Sequence, residues 1–210
     1  MNSNIEKVYY INLDKRTDRK EHMIGVVLPF LNVKENDVKR ISAVDTTHSP
    51  TLSKRATGCT LSHLKALNDA IDNNYSHFMV LEDDFIPIIS SSEFETRINR
   101  LFADFLDFDV CHLAYNAKHG TVKKINDIFM TGEGIQTMSG YIMNINFCNQ
   151  IKPVWENSVK MLQNGGHHSK YALDMAWKPY QKFDRWLLTR CGKQLKGFSD
   201  LVGKNVNYGC

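Results

Sequence analysis

Three consecutive carboxylates, Glu82, Asp83 and Asp84, follow the apolar run 78–81. Adjacent acids repel one another and are costly to desolvate, so such a group at the mouth of a buried strand needs a compensating cation. Side chains two apart on a strand face the same way, which pairs Glu82 with Asp84 and turns Asp83 aside. Carboxylate oxygens suit Mg²⁺ or Mn²⁺ carrying substrate phosphates. The alternative is a solvated acidic turn after an ordinary strand.

Two basic residues and one acid follow the ends of the first two predicted strands. Arg16 and Arg19 lie just past the first strand and could reach a pyrophosphate at the carboxyl edge of a sheet. Asp45 ends the second strand, where nucleotide-binding folds place a partner for the ribose or the base. The alternative for the arginines is a solvated helix N-terminus.

The stretch 58–63, Gly-Cys-Thr-Leu-Ser-His, is predicted to open a helix. Its glycine permits close backbone approach, and Ser62 and His63 would lie near the amide-rich end of the helix. Simple capping by Thr57 or Thr60 is the alternative, although capping does not require His63. Asp174, near a later helix start, could act as a general base or be a surface acid.

The remaining histidines and the cysteines give weaker signals. His167 and His168 follow the glycine pair 165–166 and could complete a metal shell, but paired histidines in such loops are more often exposed. The five cysteines form no Cys-x-x-Cys pair and no metal-ligand spacing, and their number is odd. Reduced thiols in a reducing compartment are therefore expected.

The elements that must position these residues alternate along the first half of the chain. Period-2 and period-3.6 patterns predict strands at 8–13, 38–44, 78–81 and 109–114, and helices from about 17 to 28, 57 to 73, 91 to 106, 146 to 163 and 169 to 182. Thr17 or Asp18 is expected to cap the first helix, and Ser91 or Ser92 the third. Three strands separated by two helices form the βαβαβ pattern of a nucleotide-binding α/β half.

The second half of the chain changes to shorter β-like runs at 122–129 and 134–143, broken at 131–134 by a predicted hairpin or loop over the site. The segment 121–138 could be a lid that orders on ligand binding. No repeat or linker appears, so one domain is expected over 1–210, with a nucleotide-binding half at about 1–115 and an acceptor half at about 116–210.

Composition excludes several classes of protein. The net charge of +3 and the scattered lysines argue against a nucleic-acid partner. Local positive charge at 123–124 and 193–204 would allow weak peripheral attraction to an anionic membrane. The N-terminus lacks a signal peptide and no run approaches a membrane span, so a cytoplasmic protein is expected. The fingerprints GxGxxG, GxxxxGK[ST] and GxSxG are absent, which removes the usual support for dinucleotide oxidoreductases, P-loop kinases and α/β-hydrolases.

Four motifs in order resemble family 25 glycosyltransferases, which include bacterial lipooligosaccharide galactosyltransferases and collagen galactosyltransferases. They are Tyr-Ile-Asn-Leu-Asp-Lys-Arg with Asp-Arg at 10–19, Arg-Ile-Ser-Ala-Val-Asp at 40–45, Gly-Cys-Thr-Leu-Ser-His at 58–63 and Val-Leu-Glu-Asp-Asp at 80–84. Ser-Gly-Tyr at 139–141, Asp174 and Phe-Ser-Asp-Leu at 198–201 resemble later blocks of the family, and the last implies a complete catalytic domain. Beyond about Gly120 the resemblance is thin.

This resemblance implies a GT-A-like fold, with a Rossmann-type mixed sheet flanked by helices in a single domain. It also implies a UDP-galactose or UDP-glucose donor, Mn²⁺ or Mg²⁺, and inverting transfer to a glycan, lipooligosaccharide or glycoprotein acceptor. It implies that Glu82 and Asp84 bind the metal and that Asp174 is the catalytic base. The other implied donor-site residues are Asn12 and Asp45 for the nucleoside, Arg16 and Arg19 for the phosphates, and Ser62, His63 and Asp83. Two alternatives stay open: an inactive UDP-sugar-binding module, and a metal-dependent nucleotidyltransferase or phosphohydrolase.

Overall fold

Three parallel strands carry the first half of the chain through the centre of the molecule. They are β1 (Lys7–Asn12), β2 (Val38–Ser42) and β3 (His77–Glu82). β1 lies between the other two and pairs in parallel with both. This computed structural model describes residues 1–182, 184–195, 197–200, 202 and 204–206.

The later strands extend this sheet and add two small ones. Their bounds are β4 (Phe85–Pro87), β5 (Val110–Asn116), β6 (Thr121–Lys124), β7 (Met130–Glu133), β8 (Gln136–Asn144), β9 (Trp186–Leu188), β10 (Gly192–Gln194), β11 (Gly197–Ser199) and β12 (Lys204–Val206). The main sheet has eight strands in the order β2-β1-β3-β8-β5-β9-β7-β6. β8 runs antiparallel to both β3 and β5, so the sheet is mixed. β4 pairs with β10, and β11 with β12.

Helices cover both faces of the main sheet. They are α1 (Thr17–His22), α2 (Leu28–Leu31), α3 (Leu52–Asp72), α4 (Ser91–Asp104), α5 (Ile145–Gln163), α6 (His168–Tyr171) and α7 (Leu173–Ala176), with a π-helical segment at Met23–Val27 and 3₁₀ turns at Glu35–Asp37 and Lys178–Tyr180. α3 and α5 bury their apolar sides against one face, and the 17–31 helices and α4 cover the other.

Alternation along the central strands explains this two-sided core. Tyr9 and Val80 point into the cluster under α3 and α5, whereas Tyr10 and Leu81 point into the opposite cluster. Successive strand side chains face opposite ways, so a strand buried on both faces reads as a continuous apolar run. The predicted α/β sheet flanked by helices is confirmed, and the sheet takes strands from both predicted halves of the chain.

Several predicted helix boundaries are wrong because other residues supply the caps. α3 begins at Leu52 rather than 57, since the Thr51 hydroxyl accepts a hydrogen bond from the Lys54 N–H. Ser90, not Ser91 or Ser92, caps α4 through the Glu93 N–H. α1 has no side-chain cap, and helical structure continues past Pro29 to Leu31, because proline is tolerated in the first turn of α2.

Two structural predictions for the second half of the chain are wrong. The helix predicted over 169–182 is divided into α6, α7 and a 3₁₀ turn, because Ala172 is extended, with φ −61° and ψ 152°. The hairpin or loop predicted at 131–134 is wrong, because residues 130–133 form strand β7. This strand makes a hairpin with β6 that turns at 125–129, and it also pairs with β9 in the main sheet. In the first half of the chain, the second strand was predicted to end at residue 44, but β2 ends at Ser42.

The four cysteines within the described residues, Cys59, Cys111, Cys148 and Cys191, are free thiols, as predicted; Cys210 lies outside them. Across the described ranges, none of the helices combines the length and the apolar character needed to cross a bilayer.

The pairing of β4 with β10 depends on a close contact at Gly192. A Cβ atom there would lie 2.3 Å from the Phe85 ring and 2.9 Å from the Ile86 carbonyl oxygen. We expect Gly192→Ala to lower the free energy of unfolding by about 1–3 kcal/mol, because overpacking forces the core apart. Urea unfolding measures the change.

The matched control is Gly25→Ala, since a Cβ at Gly25 would have no neighbour within 4 Å. We expect that variant to stay within about 1 kcal/mol of the wild type. Equal stability of the two variants would contradict the packing account of β4 and β10.

Candidate functional site

A cavity of about 260 Å³ opens beside the carboxyl ends of β1 and β3. Seven of the ten predicted site residues line it: Arg19, Ser62, His63, Glu82, Asp83, Asp84 and Asp174. The other three, Asn12, Arg16 and Asp45, lie outside its described lining. Ligands bind at this edge of open α/β sheets, so the cavity lies where the sequence predicted chemistry.

All three members of the acidic triplet face this cavity. β3 ends at Glu82, and Asp83 and Asp84 form the turn that leads into β4. The prediction that Asp83 turns aside is therefore wrong, because strand alternation stops at Glu82. Asp83 and Asp84 are both buried, which excludes the alternative of a solvated acidic turn.

Asp83 is held from two sides by residues that follow or end β1. Asn12 Nδ2 donates to its Oδ2 at 2.7 Å, and Arg19 Nη1 donates to its Oδ1 at 2.9 Å. Asn12 Oδ1 accepts in turn from Arg40 Nη2 at 2.9 Å. Asn12 is buried and lies outside the described lining of the cavity, whereas Arg19 lines its wall.

Asp84 is as deeply buried as Asp83 and accepts two hydrogen bonds from neutral side chains. Ser139 Oγ donates to its Oδ1 at 3.2 Å, and Gln194 Nε2 donates to its Oδ2 at 2.8 Å. Arg19 Nη1 lies 3.9 Å from the same Oδ2. Burial, reinforced by the charge of Glu82, raises the pKa of Asp84 to about 7. Arg19 therefore does not balance the negative charge of the cluster.

Glu82 contacts two residues of α3. His63 Nε2 lies 3.1 Å from Glu82 Oε1, and the Cys59 thiol donates to the same oxygen at 3.7 Å. His63 Nδ1 lies 2.9 Å from the Tyr141 hydroxyl of β8. His63 was predicted to lie near the N-terminal amides of its helix. This prediction is wrong, because α3 begins at Leu52 and His63 lies three turns into it.

Ser62 joins the loop after β2 to α3. Its hydroxyl accepts from the Val44 N–H at 2.9 Å and donates to the Gly58 carbonyl at 2.6 Å. The predicted close approach at Gly58 is confirmed, since a Cβ atom there would lie 2.5 Å from the Val44 carbonyl oxygen. This contact places Thr46 and Thr47 in the cavity wall.

Arg16 and Asp45 already have partners beside the cavity. Arg16 pairs with Asp18 at 2.7 Å and with Asp200 at 2.5 Å. Asp45 lies three residues past the end of β2 and pairs with Lys15 at 2.9 Å. Of the motif at 198–201, Leu201 and the side chain of Phe198 lie outside what the structure describes.

Asp174, on α7, also lines the cavity. Burial raises the pKa of its carboxyl group, although a hydrogen bond from the Thr137 N–H opposes the change. Thr137 has a φ of 84°, a left-handed conformation that costs on the order of 1–3 kcal/mol for such a residue. The strain is concentrated next to the candidate base.

Sequence reasoning missed three groups in this site. Gln194 and Arg55 line the cavity from segments without a recognisable motif. Cys59 also lines it, and it lies four residues before His63 on the same helix, a spacing that could have indicated a pair of metal ligands.

By contrast, His167 is exposed, and its ring lies against that of His168 with centroids 4.2 Å apart.

Comparisons with known proteins identify a family for this chain and similar folds among solved structures. The model of glycosyltransferase family 25, described as an LPS biosynthesis protein, matches residues 5–147. No curated protein sequence matches the chain.

Among solved structures, a mannose-1-phosphate geranyltransferase from Thermus thermophilus is 8% identical and superposes with a TM-score of 0.52 over 97% of this chain and 75% of that one. A glycosyltransferase involved in glycosylating the major capsid of PBCV-1 is also 8% identical, with a TM-score of 0.47 over 87% and 92% of the two chains. The former likeness shows the fold, which is GT-A-like.

The raised pKa of Asp84 predicts a pH dependence of stability in the metal-free protein. Between about pH 4 and 7 the folded state keeps a proton that the unfolded state has released, so the free energy of unfolding falls as the pH rises. We expect Asp84→Asn to reduce this fall, by at most about 4 kcal/mol. Urea unfolding at pH 5 and pH 8 in the presence of a chelator measures it.

The control is Asp107→Asn, a change at an exposed aspartate distant in sequence from the triplet. Its free energy of unfolding should decrease with rising pH as much as that of the wild type. An Asp84→Asn variant whose stability changes with pH as the wild type does would contradict the burial of an ionisable group at this position.

Proposed function

The chain belongs to glycosyltransferase family 25, and from this premise we propose that it is a metal-dependent, inverting glycosyltransferase. It moves a hexose, galactose or glucose, from a UDP-sugar to a hydroxyl group of a glycan, lipooligosaccharide or glycoprotein acceptor. One observation carries the proposal: Glu82, Asp84, Arg19 and Asp174 converge on a single cavity at the carboxyl edge of the sheet.

The donor set of the triplet fits a hard divalent cation. Its ligand atoms are carboxylate oxygens, and burial, reinforced by the charge of Glu82, raises the pKa of Asp84, a change that a bound cation would oppose by favouring the charged carboxylate. In this proposal Glu82 and Asp84 hold Mn²⁺ or Mg²⁺. Such an ion, when bound, stabilises the negative charge that develops on the departing diphosphate.

The residues around the triplet supply the donor site. Arg19 lines the cavity and already binds Asp83, so it can present its guanidinium to a phosphate without a change of position. Arg16 must exchange Asp18 or Asp200 for a phosphate, which makes it the secondary phosphate ligand. Asn12, Asp45, Ser62 and His63 shape the nucleoside side of this site. Gln194 and Ser139 fix the Asp84 carboxylate.

Asp174 is the proposed general base. Its carboxylate lines the same cavity, and its raised pKa brings it closer to neutral pH, where a base accepts a proton most effectively. It takes the proton of the acceptor hydroxyl as that oxygen attacks the anomeric carbon from the face opposite the leaving UDP. The Thr137 N–H orients the carboxylate for this step.

Replacing one oxygen ligand tests the metal part of the proposal. We expect Asp84→Asn to weaken the Mn²⁺-dependent part of UDP binding by at least about tenfold, because a neutral amide is a poorer ligand for a hard cation. Isothermal titration of UDP with and without Mn²⁺ measures it. Asp127→Asn, an exposed aspartate, is the matched control. Equal UDP affinities with and without Mn²⁺ in the wild type would refute metal dependence.

Replacing the base tests the catalytic part. We expect Asp174→Asn to lower kcat for sugar transfer by about 10²–10⁴-fold while UDP affinity stays near that of the wild type. Steady-state kinetics over a panel of acceptors, with mass detection of UDP and the product glycan, measures both. Transfer at the wild-type rate would remove Asp174 from the reaction.

Product analysis separates the alternatives. A transferase releases UDP and a new glycoside from labelled UDP-galactose or UDP-glucose. A nucleotidyltransferase releases pyrophosphate from UTP and a phosphohydrolase releases inorganic phosphate, whereas a binding module releases nothing. Pyrophosphate or phosphate as the main product would contradict the proposal.

A further inference from the structure

Three side chains of metal-ligating types meet at one wall of the cavity. Cys59 Sγ, His63 Nε2 and a Glu82 carboxylate oxygen all lie within 4.8 Å of one another. Two of these contacts are direct hydrogen bonds, at 3.1 Å between His63 and Glu82 and at 3.7 Å between Cys59 and Glu82. A thiol, an imidazole and one carboxylate form a softer donor set than the all-oxygen set of the neighbouring carboxylates.

The geometry points to a second cation site here: we propose that Cys59, His63 and Glu82 bind a borderline-soft divalent ion, Zn²⁺, at the cavity wall. In a tetrahedral zinc site with ordinary bond lengths, the nitrogen–oxygen edge is about 3.4 Å and the sulfur–oxygen edge about 3.6 Å. The observed 3.1 and 3.7 Å agree with these edges to about 0.3 Å. The sulfur–nitrogen distance is within 4.8 Å.

The fold holds these ligands in place. Cys59 and His63 are one turn apart on the same face of α3, a helix of 21 residues, and Glu82 is the last residue of β3. His63 is fully buried, and its ring stacks on Tyr141 with centroids 5.8 Å apart. Ligands on a packed helix and a central strand are preorganised, so little ordering entropy opposes binding.

A second hydrogen bond prepares His63 to bind a metal through Nε2. The Tyr141 hydroxyl lies 2.9 Å from His63 Nδ1. When Nδ1 carries the ring proton and donates it to Tyr141, Nε2 presents a lone pair toward Cys59 and Glu82. Metal-bound histidines commonly donate their other ring N–H in this way.

The fourth coordination position would face the cavity, because all three ligands line it. In the metal-free protein the Cys59 thiol donates its proton to a hydrogen bond with Glu82. Metal binding releases this proton to solvent, and no electrons are exchanged. Glu82 would then serve two sites, so Zn²⁺ would compete with Mn²⁺ for it. This competition rests on the proposed function, but the zinc site itself does not.

Cobalt titration of the full chain tests the site directly. Co²⁺ replaces Zn²⁺ in such sites, and a bound thiolate gives a sulfur-to-cobalt charge-transfer band. We expect chelator-treated wild type to show this band with one Co²⁺ per chain, and Zn²⁺ to abolish it. Cys59→Ser should lose the band, whereas Cys148→Ser, a change at a buried thiol outside the cavity, should keep it. Absence of the band in the folded wild type, or its persistence in Cys59→Ser, would overturn the proposal.

A second variant keeps the test decisive if Cys59→Ser is unstable. We expect Glu82→Gln to weaken Zn²⁺ affinity, measured by competition with a chelator, by at least about tenfold. An unchanged affinity would remove Glu82 from the site. No UDP, Mn²⁺ or acceptor is present in either assay, so failure of the glycosyltransferase proposal would leave these results standing.

Zn²⁺ added to Mn²⁺ and UDP then tests the competition. It should suppress Mn²⁺-dependent UDP binding in the wild type, and at least about tenfold more Zn²⁺ should be needed in Cys59→Ser. Equal suppression in both proteins would overturn the shared role of Glu82.

Discussion

The structure depends on concentrated negative charge at the point where β3 leaves the core. Two of the three triplet acids are buried, and one guanidinium, that of Arg19, contacts Asp83 and approaches Asp84. Burial, reinforced by the charge of Glu82, raises the pKa of Asp84, so holding these acids together costs stability, a cost that the cation of the proposed function would offset. Strands β1, β8 and β10 hold these acids close together through hydrogen bonds from their side chains.

Distant parts of the chain meet at this point. Asn12 at the end of β1 holds Asp83, Ser139 of β8 and Gln194 of β10 hold Asp84, and α3 presents His63 to Glu82. The backbone N–H of Leu195 also donates to the Asp84 carbonyl oxygen at 2.7 Å. The C-terminal part of the chain therefore completes a site that the first half begins, and the residues that fix the acids are as necessary as the acids themselves.

Local sequence predicted the fold and the centre of the site, but not the shell around it. Continuous apolar runs predicted strands at β1 and β3, and adjacent acids predicted a charged site at the end of β3. The mixed sheet that the family resemblance implies is confirmed, but the place of β8, antiparallel between β3 and β5, could not be predicted from local sequence because strand pairing is a long-range choice. Gln194 was missed for the same reason, since its importance comes from a contact with Asp84, far away in sequence, whereas Cys59 had a local signal in its spacing from His63 on α3.

A crystal structure of the full chain grown with Mn²⁺ and UDP tests the central claim most directly. The account predicts a manganese anomalous-scattering peak bound by Glu82 and Asp84, with the diphosphate on its other side and Arg19 on a phosphate oxygen. A cavity that holds UDP with no manganese peak at these carboxylates, or a peak on other residues, would contradict it.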